Sequence, residues 1–313
     1  MKLQILVNHY REPEGVVARL LGSLAAQEGV SWDDAGVLVA SDGTDLDSAF
    51  LSSFGIPVTH FRRPHGGVCR TRNFLLGRAD ADYVMFADAD DSLHSTLGIH
   101  KLLGAIDDSG ADVIAAPYDV ESHAGGAVRY RTERRDTLHV HAKALRRRYL
   151  LDNGIRFPDD MEFGGDMHLL WLALNLGGSV AWMRDPYYVW RDTPGSVTRA
   201  DPWHRVRTYG SVIACYEHTL ADLAARGRDD LRRALVASLF AMAYDQSNDD
   251  AYTMAPPDAV AEMASAISAF AARHAGEYCE LSAMEKEAAL RSRPRRFGTV
   301  GDMDRWLGMA CAR

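Results

Sequence analysis

The chain has 313 residues, of which 47% are hydrophobic and 25% charged, and its formal net charge is -8. Such a composition excludes a disordered chain and allows one large domain or two ordinary ones. The acidic balance supplies no overall basic field, which argues against a nucleic-acid partner.

In chain order, the apolar run 3–7 predicts a first strand. A helix over 15–26 follows, with Val16, Leu20, Leu21 and Leu24 close to helical spacing. Residues 37–40 read as strand two and end in the turn-like Ser41-Asp42-Gly43-Thr44-Asp45. Residues 56–61 suggest strand three, with Pro57 limiting its start. Gly66-Gly67 opens a helix over 68–77, residues 83–87 predict strand four, and a helix over about 95–109 comes next. Such alternation implies a mostly parallel sheet with helices on both faces. Polar motifs follow the strands at Asn8-His9-Tyr10, Asp42-Gly43, Arg62-Arg63 and Asp88-Ala89-Asp90. A right-handed α/β arrangement would gather these ends on one rim of the sheet.

From Asp112 the pattern changes. Residues 113–116 read as a strand, and Gly125-Gly126 sits between 118–120 and 128–130 as a hairpin turn would. A helix is expected over 142–153, ending at Gly154. Gly164-Gly165 leads into a helix over 166–176, and short strands are expected at 180–183 and 187–190. Beyond 201 the pattern is helical, over 203–225, 229–245, 258–274 and 282–291.

Cys69, Cys215, Cys279 and Cys311 form no Cys-x-x-Cys pair, which argues against structural zinc and fits a reducing cytosol. The first apolar run turns polar at Asn8, too soon for a signal-peptide core. No apolar stretch reaches the ~18 residues of a membrane helix. The expected compartment is the cytoplasm, with peripheral contact at the inner membrane face left open. Basic runs at 146–148 and 291–296 read as solvated faces, or as contacts to an anionic acceptor or membrane surface.

Asp88, Asp90 and Asp91 place three carboxylates within four positions at the carboxyl end of predicted strand four. Hard divalent cations prefer oxygen ligands, and open α/β sheets bind ligands at strand carboxyl ends. The motif therefore points to a metal–diphosphate site. The competing assignment is an acidic turn that caps the next helix, with Asp91 or Ser92 as N-cap.

Together these segments resemble the family 2 glycosyltransferases, enzymes of GT-A fold that use nucleotide-sugar donors. Val7-Asn8-His9-Tyr10-Arg11-Glu12 stands where the family has a Pro-Thr-Tyr-Asn-Arg-Glu type stretch. Ser23-Leu24 and Gln27 are similar to its Ser-Leu-x-x-Gln, and Ser41-Asp42-Gly43-Thr44-Asp45 to a shortened Asp-Asp-Gly-Ser-Thr-Asp. Gly67 and Arg72-Asn73 resemble the Gly…Ala-Arg-Asn helix, and Phe86-Ala87-Asp88-Ala89-Asp90-Asp91 resembles Phe-Leu-Asp-x-Asp-Asp. Asn153-Gly154-Ile155-Arg156-Phe157-Pro158 and Phe163-Gly164-Gly165-Asp166 are similar to Asn-Gly-Ile-x-Phe-x and Phe-Gly-Glu-Asp. Tyr187-Tyr188-Val189-Trp190-Arg191 and Gly195-Ser196-Val197-Thr198 resemble its Tyr-Tyr-x-Tyr-Arg…Gly-Ser. The chain departs from the pattern at Ser41, Gly165, and His9-Tyr10. Gly165, in place of a Glu, would open space for a larger acceptor.

The resemblance covers residues 1 to about 200. It implies a GT-A-like (Rossmann-like), mostly parallel sheet flanked by helices, followed by a C-terminal helical extension. Residues 1–110 would form the nucleotide-sugar-binding half of the domain and 111–200 the acceptor-binding half; beyond the resemblance, the amphipathic helices and sparse motifs of 201–313 suggest a region for packing, acceptor selection or self-association. The implied activity is metal-dependent, inverting transfer of a sugar to an acceptor hydroxyl in glycan or cell-surface polysaccharide assembly. Mn2+ or Mg2+ is the expected cofactor and a UDP-sugar the favoured donor.

A cation offsets charge on the leaving diphosphate, so Asp90, and Asp88 directly or through water, are assigned to the metal. Inversion needs a base opposite the leaving group, and Asp166, at a helix start behind Gly-Gly, suits that duty; its competing role is helix capping. Donor-binding residues implied by the resemblance are His9, Arg11, Glu12, Asp42, Arg72, Asp88 and Asp91. Among these Arg72 would pair with phosphate, Asp42 would bond the base or ribose, and Asp88 the ribose. Tyr187, Tyr188, Trp190 and Trp203 are read as core or as stacking platforms, and His168 and His204 as structural or as extra metal ligands. A nucleotidyltransferase is a rival, but residues 8–15 lack the Lys it needs. A non-catalytic sugar-nucleotide-binding protein of the same fold is the other.

Overall fold

The computed structural model describes residues 1–161, 163–193, 201–249, 254–293 and 298–310. The sequence signal Gly195–Thr198, Cys311 and the far end of the basic run at 291–296 lie outside the described residues. The chain forms two compact units, Met1–Pro194 and Gly195–Arg313.

The first unit opens with β1 (Leu3–His9), α1 (Glu14–Ala25), β2 (Ala35–Asp42), α2 (Ser48–Ser52), β3 (Val58–Arg63), α3 (Val68–Arg78) and β4 (Tyr83–Asp88). It continues with β5 (Ser92–Leu93), α4 (Gly98–Ser109), β6 (Val113–Ala115), β7 (Tyr118–Ala124), β8 (Ala127–Glu133), β9 (Lys143–Arg146) and α5 (Arg147–Asp152), then α6 (Gly165–Asn175), β10 (Val180–Trp182) and β11 (Tyr188–Trp190). A seven-stranded sheet runs in the order β10-β6-β9-β4-β1-β2-β3, and a four-stranded sheet in the order β5-β11-β7-β8. Strands β4, β1, β2 and β3 are parallel neighbours, while β9 runs antiparallel between β4 and β6. Strands β1 and β2 are buried almost throughout, as continuous apolar runs covered on both faces should be. Val17, Leu20, Leu21 and Leu24 of α1 join Leu3, Ile5, Val37, Val39 and Met85 in one core.

Two predicted helices change. The helix read over 142–153 survives only as α5, because residues 143–146 are held as β9 between two strands. Helix-favouring residues lose there to sheet pairing. The helix expected from 95 starts at Gly98, since Ser92 and Leu93 pair with Val189 and Tyr188. Neither Asp91 nor Ser92 is therefore a helix cap. The hairpin at Gly125-Gly126 forms as expected, with both glycines in the left-handed region at φ 61° and 78°.

In the second unit the described elements are helices, at His204–Arg207, Tyr209–Ala225, Asp229–Asn248, Pro257–Cys279, Ala283–Arg291 and Val300–Ala310. Its core gathers Phe240, Phe270 and Tyr278, with ring centroids 5.1 Å and 4.4 Å apart for Phe240 against the other two. A capping box of Ser282 and Glu285 starts the Ala283–Arg291 helix. Among the described residues no helix is long and apolar enough to cross a membrane.

Candidate active site

Parallel register brings the strand ends to one rim. Asn8 stands opposite Asp88 on one side and Ala40 on the other, and His9 stands opposite Ser41. Helix α3 carries Arg72 into this rim, almost fully buried at 5% exposure. Its Nε donates to Asn8 Oδ1 at 3.1 Å, one Nη donates to Asp88 Oδ1 at 2.7 Å, and the other donates to Asp166 Oδ1. The fork that the sequence reading assigned to phosphate is engaged with protein groups in this structure. It joins two carboxylates that are far apart in the chain.

Asp166 is the second residue of α6, whose start is set by Gly164 at φ 84°. Its other oxygen accepts from the Val140 amide at 3.2 Å. Its side-chain bonds thus go to Arg72 and Val140, and no side-chain cap is made at this helix start. The preceding loop is clamped by Asn73, which donates to the Phe157 carbonyl at 2.8 Å and accepts from the Phe157 amide at 3.0 Å. Gly165 does not open room for an acceptor. A Cβ there would run into Cys69 Sγ, so the space that a larger residue would fill is already occupied from α3.

Burial by itself would raise the Asp88 carboxyl, but the Arg72 charge and hydrogen bond hold it below the usual range. Its neighbours go the other way. Burial, then the charges of Asp88 and Glu12, push Asp90 up to about 6. Asp91 is fully buried and is pushed well above the ordinary carboxylate range by burial, Asp88 and Asp90. Tyr188 Oη donates to Asp91 at 2.6 Å and accepts from the Asp88 amide at 3.2 Å, while the Arg191 amide donates to Asp91 at 2.9 Å. Tyr188 is a buried hydrogen-bonding partner of the acidic turn, where the sequence offered only core or stacking. Asp88, Asp90 and Asp166 together carry more negative charge than Arg72 can balance, and the acidic turn itself offers oxygen donors. That is the chemistry a hard divalent cation requires.

Elsewhere on the rim, Asp42 accepts from the amides of Gly66 and Gly67 at 2.7 Å and 2.9 Å and from His65 Nδ1 at 2.9 Å. It thereby shapes the loop into α3. Ser41 is buried between His9 Nδ1 at 2.9 Å and His60 Nε2 at 2.8 Å. His9 also bonds the Glu12 carbonyl, and Glu12 accepts from the Tyr10 amide. Tyr10 stacks on His65 with centroids 4.6 Å apart, and the Arg11 guanidinium lies 4.7 Å from the Tyr10 ring. Ser23 and Gln27 bind the segment after β4. Ser23 Oγ accepts from Leu93, while Gln27 accepts from Ile99 and donates to the Ser95 carbonyl.

His141 was missed, because its segment read as the edge of a helix. It is 3% exposed, and its Nε2 is buried without a hydrogen-bond partner among the described residues. One of its ring nitrogens and one oxygen each of Asp88 and Asp91 lie within 4.8 Å of one another. His168, read as structural or as an extra metal ligand, is buried in α6 outside that group, and Trp203 and His204 belong to the second unit.

A sequence model of the family described as Glycosyl transferase family 2 matches residues 4–171. Among characterised proteins, the chain is 22% identical over 231 residues to the poly(ribitol-phosphate) beta-N-acetylglucosaminyltransferase TarS of Staphylococcus aureus. That match takes in 69% of this chain and 39% of the relative, so the chain spans about two fifths of the length of the curated relatives it matches. The crystal structure of S. aureus TarS 1-349 in complex with UDP-GlcNAc superposes with a TM-score of 0.70 at 16% identity, covering 99% of this chain and 90% of that one. The mannosyltransferase PcManGT from Pyrobaculum calidifontis, in complex with GDP-Man and Mn2+, gives 0.53 at 15% identity, over 99% of this chain and 84% of that one. These likenesses establish the GT-A fold of the chain.

Proposed function

This chain belongs to glycosyl transferase family 2, and on that premise we propose that it moves a sugar from a nucleotide-diphosphate sugar to an acceptor hydroxyl with inversion. The observation that carries the reading is one buried guanidinium, Arg72, holding both Asp88 and Asp166 beside an acidic turn with excess negative charge.

Asp166 is the base in this reading. It takes the proton of the acceptor hydroxyl as the oxygen bonds the anomeric carbon, on the face opposite the departing diphosphate. Arg72 and the Val140 amide fix its direction. Asp88 and Asp90 would hold Mn2+ or Mg2+, which offsets charge on the leaving diphosphate. His9, Arg11, Glu12, Asp42 and Asp91 line or support the donor side. The ordering of the Gly66-Gly67 loop by Asp42 supports an indirect share for that residue. A UDP-sugar is the favoured donor, supported by the UDP-GlcNAc complex of a fold neighbour, with GDP-sugars as the second choice. The acceptor class is a glycan or cell-surface polysaccharide, in keeping with the polymer named for the relative.

A thermal-shift panel of nucleoside diphosphates, with and without Mn2+, tests the reading. A ligand that binds only the folded state at about 100 times its Kd adds about 2.7 kcal/mol of stability. UDP with Mn2+ should raise Tm well beyond either alone. A panel in which no nucleotide raises Tm, with or without metal, would refute it.

A further inference from the structure

We propose that His141, grouped with Asp88 and Asp91, adds a nitrogen ligand to the cation site assigned above to Asp88 and Asp90, making a mixed oxygen–nitrogen site that selects a first-row transition ion such as Mn2+ over Mg2+. The proposal rests on reading the acidic turn as a cation site and adds to it a nitrogen ligand on an element that the sequence motif does not include.

Three observations carry it. The potential ligand atoms of the three residues already lie within 4.8 Å of one another. The His141 Nε2 is a buried polar atom with no hydrogen-bond partner among the described residues, and such an atom is costly to leave unsatisfied. The ring is also fixed in place. Tyr188 stacks on it with an interplanar angle of 2° and centroids 5.2 Å apart, Tyr118 meets it edge-on at 4.3 Å, and His139 stacks on it at 5.4 Å. Tyr188 holds Asp91 through its hydroxyl as well, so one side chain orients two members of the group. A preformed nitrogen beside two carboxylates is better tolerated by a first-row transition ion, Mn2+ included, than by Mg2+, which demands near-ideal oxygen coordination and keeps its waters.

The test uses the full-length protein without nucleotide, with Mn2+ as the probe. Pulsed electron paramagnetic resonance of the bound ion should show coupling to a histidine 14N. Labelling the histidines with 15N should convert that signal to the 15N pattern, a result that needs no substitution and so decides the matter even where a variant fails to fold. H141Q should abolish the coupling, and H139Q should retain it. H141Q should also weaken Mn2+ binding by at least the roughly 10–100-fold typical when a ligand's supporting group is lost, with the weaker Mg2+ binding little changed. Bound Mn2+ without nitrogen coupling, coupling that survives in H141Q, or no Mn2+ binding at all would overturn the proposal. Calorimetric titration of UDP at saturating Mn2+ separates the two readings. Nucleotide binding without nitrogen coupling removes only the His141 assignment. Coupling without nucleotide binding removes the donor reading and leaves the metal site.

Discussion

Replacing Asp90 by Asn should stabilise the metal-free protein while destroying its response to metal. Asp90 is partly buried and its carboxyl is pushed up to about 6, first by burial and then by Asp88 and Glu12, from the 3.8 of an ordinary aspartate. That gap corresponds to about 3 kcal/mol of penalty on the charged form, and residual solvent access brings the expected gain to about 2 kcal/mol. For a unit of this size the gain is about 4–8 °C in Tm at pH 8 without metal. The sign follows from linkage. A folded-state pKa above the unfolded one means stability that is present below 3.8 and lost as pH rises through about 6. The Tm difference between Asp90→Asn and wild type should therefore be full above pH 6 and close as pH falls toward 4. Adding Mn2+ should raise the wild-type Tm and leave that of the variant nearly unchanged. Differential scanning fluorimetry across this pH range, with and without metal, reads all three effects. A variant that is less stable than wild type at pH 8, or equally responsive to Mn2+, would refute the charge argument.

Asp166→Asn keeps the shape and the acceptor oxygen but cannot take a proton, so turnover should fall by about 10²–10⁴-fold. Donor affinity by calorimetry should stay within a few-fold of wild type; near-normal sugar transfer would remove Asp166 from the base role. Gly165→Ala should cost about 1–3 kcal/mol in urea unfolding through overpacking against Cys69. The double variant with Cys69→Ala should recover part of that, and strict additivity would show that the two sites do not meet. Arg72→Met leaves Asp88 and Asp166 without their shared cation and should cost about 3–5 kcal/mol. Mn2+ should restore more stability to this variant than to wild type, and wild-type stability without metal would contradict the ion-pair assignment.

The α/β alternation, the parallel core strands and the rim where Asn8, Asp42 and Asp88 gather were legible in the chain, because each depends on local periodicity. An apolar run of five or six residues bounded by turn formers has few options besides a buried strand, and parallel pairing then brings the strand ends together. Residues 143–146 were not legible, because Ala-Leu-Arg-rich sequence favours a helix until two neighbouring strands claim its backbone. The reason for Gly165 was equally hidden, since the atom that excludes a side chain belongs to Cys69 on another helix. Arg72 shows the limit most clearly. Its position on α3 follows from the pattern, but its partners lie 16, 64 and 94 residues away. Whether a guanidinium meets phosphate or carboxylate is decided by which groups the folded sheet brings within hydrogen-bonding distance of it, and no local period encodes that. His141 joined the acidic turn for the same reason, because its place beside Asp88 and Asp91 exists only once the two sheets have formed and Tyr188 lies against its ring.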